Sequence, residues 1–311
     1  LEWKPLKNLS FRSNLGITNS STRNGSFEGP NTISRALSTG SISRINNTTA
    51  TELLWENILT WQQKLNHHDL GVTLVSSYIS SKSDNSSISG TGQLLPDQLF
   101  YAIQNNPGTI SLTSNYVGSD LFSGAFRLNY NYKGKYLLTV TGRADGSSIL
   151  AKNNRWSFFP SAAAAWRVSD EDFMAQQNLF SDLKLRVSYG IAGNAAVRPY
   201  STQSGLILVP FSWDDKQALA YALDPLAGNP SLNWELTATQ NIGLDFGILN
   251  NRITGSIDYY DSKTSKLLLN RGLAPTSGVS RVVQNIGKTR NSGIEILLRT
   301  ANIQTARASW S

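Results

Sequence analysis

A strict alternation of apolar and polar side chains across residues 121–144 constrains the fold of this chain more than any other feature of its sequence. The apolar positions are, in order, Phe122, Gly124, Phe126, Leu128, Tyr130, Tyr132, Tyr136, Leu138, Val140, Gly142 and Ala144. Period-two alternation is typical of a β-strand, because successive side chains point to opposite faces, whereas a helix repeats every 3.6 residues. The pattern therefore predicts an antiparallel hairpin with a tight turn at Lys133-Gly134, which a third strand extends to Arg167.

The length of these segments indicates a membrane. Ordinary strands contain about 5–6 residues, whereas a tilted strand needs about 9–11 to cross a bilayer, and the alternation here runs for about eleven. The chain contains no run of about 20 apolar residues, which excludes a helical membrane protein. A mean hydropathy of -0.25 is compatible with a barrel, because alternation halves the hydropathy of each strand.

The connections between the predicted strands alternate strictly between short and long. The short ones are residues 4–8, 63–69, 133–135, 168–182 and 249–252, and the long ones are residues 19–50, 79–119, 146–155, 192–233 and the stretch that ends near Asn285. Short turns on one side and long loops on the other are typical of outer-membrane barrels, and a Greek-key sandwich lacks this regularity. The sequence predicts an all-β fold: a partial, antiparallel up-and-down transmembrane β-barrel of about ten complete strands, open in this fragment.

Aromatic residues add a second indication, because amphipathic rings settle at the depth of the lipid headgroups and form two girdles on a barrel. Near the short turns lie Trp3, Trp61, Tyr130, Tyr132, Tyr136 and Trp166, and near the long loops lie Trp55, Trp156, Phe158, Trp234 and Tyr259. A preference of aromatic residues for strand ends would produce the same pattern.

Composition excludes several classes of function. The absence of cysteine rules out disulfides and thiolate metal sites. The net charge of +7 is spread along the chain, so no basic stripe for nucleic acid is expected. His67 and His68 lie in a short polar turn without a nearby third ligand, and a solvated turn explains them better than a metal site. We expect no cofactor, and without a catalytic set of residues we expect no enzyme activity.

Two groups of residues are candidates for function. The polar strand face, which in a barrel lines the lumen, includes Arg127, Arg143, Arg167, Lys184, Arg186 and Asp245. A salt-bridged structural wall and direct substrate contact are both open for this face. The loop Ala192–Asn233 carries four aromatic residues, Tyr200, Phe211, Trp213 and Tyr221. Aromatic side chains in a polar loop suit sugar stacking or contact with a partner, and packing within the loop is the alternative.

A series of short motifs occurs in order across about the C-terminal two-thirds of the chain. They are YKGKYLL at 132–138, RADGSS at 143–148, NRW at 154–156, FPS at 159–161, AWR at 165–167, LKLRVSYG at 183–190, GN at 193–194, NPSLNWE at 229–235, DYYD at 258–261, NIG at 285–287 and NSGIE at 291–295. This ordered set resembles the SusC/RagA class of TonB-dependent outer-membrane transporters of Bacteroidetes.

The resemblance implies a location in the bacterial outer membrane, in contact with lipid and lipopolysaccharide, and a 22-stranded barrel around a plug. It also implies import of glycans or peptides with a SusD-like surface lipoprotein, energised by TonB-ExbB-ExbD through an N-terminal part. Residues 1–311 are then expected to be a partial barrel domain without plug, TonB box or signal peptide. The family's plug and lid residues have no counterpart here.

Two other classes of function stay open at this stage. A soluble or secreted all-β carbohydrate-binding module would bury the apolar face in a core between two packed sheets. An outer-membrane enzyme would need a catalytic set that the sequence does not show. One continuous antiparallel sheet would favour the barrel, and two sheets that share a core would favour the module.

Overall fold

The computed structural model describes residues 1–35, 40–213, 216–304 and 309–310. Its strands are β1 Glu2–Leu6, β2 Leu9–Glu28, β3 Ile42–Leu65, β4 His68–Thr91, β5 Ile110–Tyr132, β6 Tyr136–Ser147, β7 Trp156–Arg167, β8 Phe180–Asn194, β9 Leu206–Trp213, β10 Lys216–Leu223, β11 Leu226–Ala227, β12 Glu235–Ile248, β13 Ile253–Ser265, β14 Leu268–Gly272, β15 Arg281–Asn285, β16 Lys288–Thr300, β17 Ile303–Gln304 and β18 Ser309–Trp310. Its 3-10 turns are Ile33–Arg35, Pro96–Gln98, Ile103–Asn105, Lys152–Asn154, Val168–Asp170, Asp172–Met174 and Pro275–Ser277.

Eleven of these strands form one sheet in the order β1-β2-β3-β4-β5-β6-β7-β8-β12-β13-β16. Each strand lies beside the next crossing strand of the chain, so the connectivity is up-and-down, and β9–β11, β14 and β15 belong to the long connections. Within the described ranges, β1 and β16 each have a neighbour on one side only, so the sheet is open. The predicted fold of an open, partial up-and-down barrel is confirmed.

The central hairpin has the predicted register, from Leu121 opposite Ser147 to Tyr132 opposite Tyr136. Lys133 and Gly134 in the turn have φ values of 56° and 73°. Two consecutive positive φ angles are the signature of the type I′ turn, whose twist matches that of the flanking strands.

The short connections between β3 and β4 and between β12 and β13 are also tight. Asn66 has a φ of 49°, and Asn250 and Asn251 have φ values of 54° and 61°; asparagine tolerates this left-handed conformation. The turn predicted at residues 4–8 is shorter than expected, because β1 continues through Pro5 to Leu6. The pairing of β1 with β2 shifts register between Trp3 and Leu6, and a proline is accepted at such an irregularity because its missing N–H interrupts no regular ladder.

The predicted loops 19–50 and 79–119 are wrong in extent. Strands β2 to β5 contain 20, 24, 24 and 23 residues, so much of these Ser/Thr/Asn-rich stretches is extended sheet. A 24-residue strand is about 80 Å long, whereas the hydrocarbon core of a bilayer is about 30 Å thick. Beyond the lipid both faces meet water, so the apolar alternation that reveals a strand is absent.

The described residues form two compact units. One contains residues 1–13, 56–77 and 121–311, and the other contains residues 14–55 and 78–120. In the second unit neighbouring strands are joined by polar pairs: the Asn85 side-chain amide donates to the Thr48 hydroxyl at 3.0 Å, and the Ser87 hydroxyl donates to the Asn46 side-chain Oδ1 at 2.6 Å. Cross-strand hydrogen bonds of this kind stabilise a sheet without an apolar core.

The apolar strand face of the first unit is exposed rather than buried. Ile242 is 60% exposed, Ile294 68% and Ile296 72%. A sandwich would bury such side chains between two sheets, and an exposed apolar band of this extent marks a surface that meets lipid or protein. No helix in the described part of the chain is long and apolar enough to cross a membrane.

Candidate binding surfaces of the long loops

The long loops of the first unit are built on a small apolar core, formed by Leu150, Phe159, Leu232 and Trp234, each at most 6% exposed. The rings of Phe159 and Trp234 meet edge to face, with centroids 5.3 Å apart. The Trp234 indole N–H also donates to the Arg155 carbonyl at 2.9 Å. The expectation that Trp234 belongs to an aromatic girdle is therefore wrong, because the NPSLNWE segment folds back onto the loops and buries the ring.

Three asparagines join two of these loops. Asn285 donates its side-chain N–H to the Asn233 carbonyl at 2.7 Å and accepts the Asn233 backbone N–H at 2.8 Å. Asn229 donates to the Val283 carbonyl at 2.8 Å. An asparagine that both donates to and accepts from a backbone replaces a piece of sheet ladder, so residues 229–233 and 283–285 are fixed to each other. Sequence reasoning assigned no role to these residues.

A small three-stranded sheet lies within the same loops. β11 pairs with β15 in parallel, with Leu226 opposite Arg281, and β14 pairs with β15 in antiparallel fashion, with Asn270 opposite Val283. Strands of two and five residues are too short for a period-two pattern to reveal them.

One face of this small sheet and residues 196–201 enclose a pocket of about 230 Å³, here named the loop pocket. Its polar lining side chains are Arg198, Ser201, Asn270 and Arg281. Both arginines are exposed at its mouth, and Ser201 is only 5% exposed. Among the described residues, no Asp or Glu lines the loop pocket. The loop pocket is therefore a concave and positively charged site.

The predicted aromatic residues of the loop 192–233 lie on different elements, and those on the hairpin with described side chains lie on different faces. Tyr200 lies in a turn with a φ of 66°. Phe211 and Tyr221 lie on the hairpin of β9 and β10, where Phe211 is opposite Ala218 and Tyr221 is opposite Leu208. In the register Phe211 is level with residue 218, which is three positions from Tyr221. The side chains of Phe211 and Tyr221 therefore occupy different faces of the hairpin. Trp213 ends β9, and its side chain lies outside the described part of the structure.

The hairpin β9–β10 exposes large apolar side chains, and we name it the apolar hairpin (Leu206–Leu223). On the Tyr221 face, the exposed fraction is 56% for Leu208, 69% for Leu219 and 73% for Tyr221. Side chains that are apolar and mostly exposed on a loop mark a surface suited to a protein partner.

The six predicted residues of the polar face do share one face of the sheet. In the register, Ala125 is opposite Arg143, Ala165 is opposite Arg186, Arg167 is opposite Lys184, and Lys184 is opposite Asp245. Directly opposed residues of paired strands point to the same side. Arg127 lies two positions from Ala125, so it belongs to this face as well.

Several charges on this face are paired. Arg186 donates to both oxygens of Asp245 at 2.7 and 2.9 Å and to Asp258 at 3.1 Å. Arg143 lies 2.7 Å from Asp145 and donates to Ser123 at 2.9 Å. Such fork geometry restricts a guanidinium to one position, which favours a structural wall for this part of the face.

Glu171, in the short connection between β7 and β8, is held by three donors. Its carboxylate accepts from the Tyr136 hydroxyl at 2.6 Å, the Trp166 indole N–H at 3.0 Å and the Lys135 ammonium at 3.2 Å. These hydrogen bonds, that of Tyr136 foremost, lower the pKa of Glu171 to about 2. The contact fixes this connection against the ends of β6 and β7.

The His68 side chain has a partner on the neighbouring strand: its Nδ1 and the Tyr130 hydroxyl share a hydrogen bond of 2.8 Å. No group of three or more His, Asp or Glu side chains suited to a metal ion occurs within the ranges that the structure describes.

The continuous up-and-down sheet, its exposed apolar face and its long loops on one side define the class of outer-membrane β-barrel proteins. The family model described as TonB dependent receptor-like, beta-barrel, matches residues 1–311. The chain belongs to this family, and its place is the outer membrane.

Relatives support the assignment. TonB-dependent receptor P3 of Formosa agariphila is 34% identical over 97% of this chain and 30% of its own length. TonB-dependent receptor SusC of Bacteroides thetaiotaomicron is 40% identical over 59% of this chain and 19% of its own length. The solved structure of the RagAB peptide transporter matches 97% of this chain and 33% of its own with a TM-score of 0.86 at 24% identity, which shows the shared fold. The chain thus spans about a third or less of the relatives it matches.

Proposed function

We propose that the full-length protein is a TonB-dependent active transporter that imports oligosaccharides or peptides across the outer membrane. In this proposal residues 1–311 supply part of the barrel wall and the long loops, while the plug and the TonB box lie in other parts of the protein. The eleven-stranded up-and-down sheet with its exposed apolar face carries the proposal. That exposed face disfavours a soluble carbohydrate-binding module, which would bury it.

The proposed role is binding and passage of a ligand, without catalysis and without a cofactor. On the polar face the Arg186 and Arg143 pairs give a rigid wall. Arg127 is exposed, and within the described ranges its side chain has no ion pair, so it is the member of the predicted set best placed to contact water, plug or substrate. Energy would reach the transporter through TonB-ExbB-ExbD.

Uptake in the source bacterium tests this function. A strain that lacks the gene is grown on single glycans and on peptides as sole nutrients, and is complemented with the intact gene. We expect growth to be lost on one nutrient class and restored by complementation, and a protonophore to abolish uptake, because TonB coupling uses the proton gradient. Normal growth of the deletion strain on every nutrient, together with unchanged outer-membrane binding, would contradict the proposal.

We further propose that the apolar hairpin contacts a SusD-like lipoprotein. Three large side chains that share its Tyr221 face, Leu208, Leu219 and Tyr221, are more than half exposed. Tyrosine is enriched at the centre of protein interfaces, and apolar neighbours help to exclude water around it.

A pair of variants separates the two faces of the hairpin. Leu219→Asp places a charge on the Tyr221 face, and the matched control Ala218→Asp places it on the opposite face next to Phe211. Co-purification of the lipoprotein with the full-length protein should fall about tenfold or more for Leu219→Asp, because a buried unpaired charge is costly. Equal loss with both variants would indicate general damage to the hairpin, and no loss with Leu219→Asp would refute the contact.

A further inference from the structure

We propose that the loop pocket binds an acidic group, a carboxylate or a sulfate, of the imported ligand. The inference rests on the proposed transport function and narrows its substrate class to ligands that carry negative charge. The pocket lies in the long loops, where a barrel of this class first meets molecules from outside.

The positive charge of the loop pocket is uncompensated in the described part of the chain. Within the described ranges, neither Arg198 nor Arg281 forms an ion pair, whereas Arg143, Arg186 and Arg290 on the strands are each bonded to a carboxylate. Two arginines that line one small pocket without a carboxylate partner make it attractive to an anion. Their planar forks match the two oxygens of a carboxylate or a sulfate.

Backbone hydrogen bonds fix the shape of the loop pocket. The backbone N–H groups of Ser280 and Arg281 both donate to the Pro225 carbonyl, at 2.9 and 3.2 Å. On the opposite side, the Ser201 N–H donates to the Arg198 carbonyl at 3.3 Å, and the Ser201 carbonyl accepts from Asn229 at 2.9 Å. Backbones that are held in place before binding reduce the entropy that a ligand must overcome.

The size and the lining of the loop pocket suit a small charged group. A volume of about 230 Å³ is below the roughly 300–1,000 Å³ of sites for whole small molecules, so the pocket suits one charged substituent or one residue of a polymer. Leu226, Leu268 and Val283 contribute apolar lining, which lowers the local dielectric and strengthens the attraction between arginine and anion. Ser201 and Asn270 add neutral groups that can orient a ligand.

Fluorine NMR on the purified full-length protein in detergent tests the assignment without any transport step. The probes are trifluoroacetate for carboxylates, trifluoromethanesulfonate for sulfates, and trifluoroethanol as a neutral control, at constant ionic strength. We expect saturable line broadening in the millimolar range with at least one anion and none with trifluoroethanol. Response to only one of the anions identifies which acidic group the pocket prefers.

Variants locate the binding. The double variant Arg198→Gln and Arg281→Gln should weaken anion binding about tenfold or more, because two charge-assisted hydrogen bonds are lost. Arg271→Gln is the matched control: Arg271 lies on the other face of the same small sheet and donates to Gln284 at 3.3 Å, so binding should stay within about twofold. Arg281→Lys, which keeps the charge, should retain part of the affinity and shows whether the site still folds.

Three outcomes would overturn the assignment. They are the absence of saturable anion binding up to about 50 mM, unchanged binding in the double variant, and equal loss in the Arg271→Gln control. Because anion binding is measured on purified protein, its failure leaves the uptake experiment unaffected, and a failure of uptake leaves the binding result intact.

Discussion

At the scale of single residues, Glu171 shows how one carboxylate fixes a connection. Its pKa of about 2, caused first by the hydrogen bond from Tyr136, lies below its ordinary value of 4.5. A group with a lowered pKa stabilises the folded connection fully above pH 4.5, and this stabilisation is lost as the pH falls from there through about 2. The connection should therefore remain ordered at any pH that the outer membrane normally meets.

The replacement Glu171→Gln tests this contact. The neutral amide keeps the shape of the side chain but loses the charge-assisted bonds to Lys135, Tyr136 and Trp166. Amide exchange in residues 168–180 should become several-fold faster at pH 6, and the change of exchange protection that the unmodified protein shows between pH 4.5 and 2 should disappear. Unaltered exchange at pH 6 would mean that the carboxylate contributes little to the order of this connection.

Leu128 and Asn129 test which face of the central hairpin meets lipid. Leu128 lies opposite Val140 and Asn129 opposite Thr139, so the two side chains point to opposite sides. Residues 1–311 contain no cysteine, so within this part of the full-length protein each replacement introduces a single thiol. In the full-length protein in membranes, Leu128→Cys should react with a lipid-dissolved reagent, and Asn129→Cys with a water-soluble one.

Leu128→Arg should cost about 2–4 kcal/mol in the free energy of unfolding, because a cation at mid-bilayer loses its hydration. Asn129→Arg is the matched control and should cost little, since its face is polar. If Leu128→Cys reacts only with the water-soluble reagent, the lipid-facing assignment of this strand is wrong.

At the scale of elements, the membrane-crossing strands were predictable and the rest of the sheet was not. From Leu121 to Arg167 the boundaries agree closely because lipid on one side requires an apolar residue at every second position. The distal halves of β2 to β5 escaped prediction because Ser, Thr and Asn occupy both faces there. Short, loop-borne strands such as β11 have no pattern to detect.

The loop pocket escaped prediction for a different reason. Arg198, Asn270 and Arg281 come from separate loop segments and share a pocket only because the small sheet and the asparagine bridges bring those segments together. The spacing of these residues along the chain therefore cannot predict that they line one pocket. The shared face of the polar set, by contrast, follows from alternation alone and was predictable.

Trp234→Ala tests whether the apolar core holds the long loops together. Trp234 is 5% exposed and packs on Phe159, and removal of a buried tryptophan costs about 3–5 kcal/mol. We expect proteolysis within residues 195–233 to become much faster, with the barrel remaining heat-resistant on gels. Trp156→Ala is the control: Trp156 is 61% exposed, so protease resistance of the loops should not change.

At the scale of the whole molecule, an open sheet with an exposed apolar face cannot be stable in water by itself. Two edge strands present unpaired N–H and C=O groups, and side chains such as Ile294 and Ile296 lie mostly exposed. The isolated 311 residues should therefore aggregate unless detergent is present. Size-exclusion chromatography checks this, and a monodisperse monomer in plain buffer would contradict a membrane barrel.

The long strands have a consequence for how the sheet is assembled. In the halves of β3 and β4 that lie away from their shared turn at residues 66–67, both faces are polar. Side chains there discriminate poorly between alternative registers. The apolar half of the same strands must therefore set the register. Strand pairing should begin where lipid selects one face and extend from there into the polar half. An insertion of one residue near Glu56 would invert every side chain beyond it, whereas an insertion of two would leave each on its own side. Where both faces are polar this inversion should be tolerated, so only the apolar half of these strands is restricted to changes of two residues.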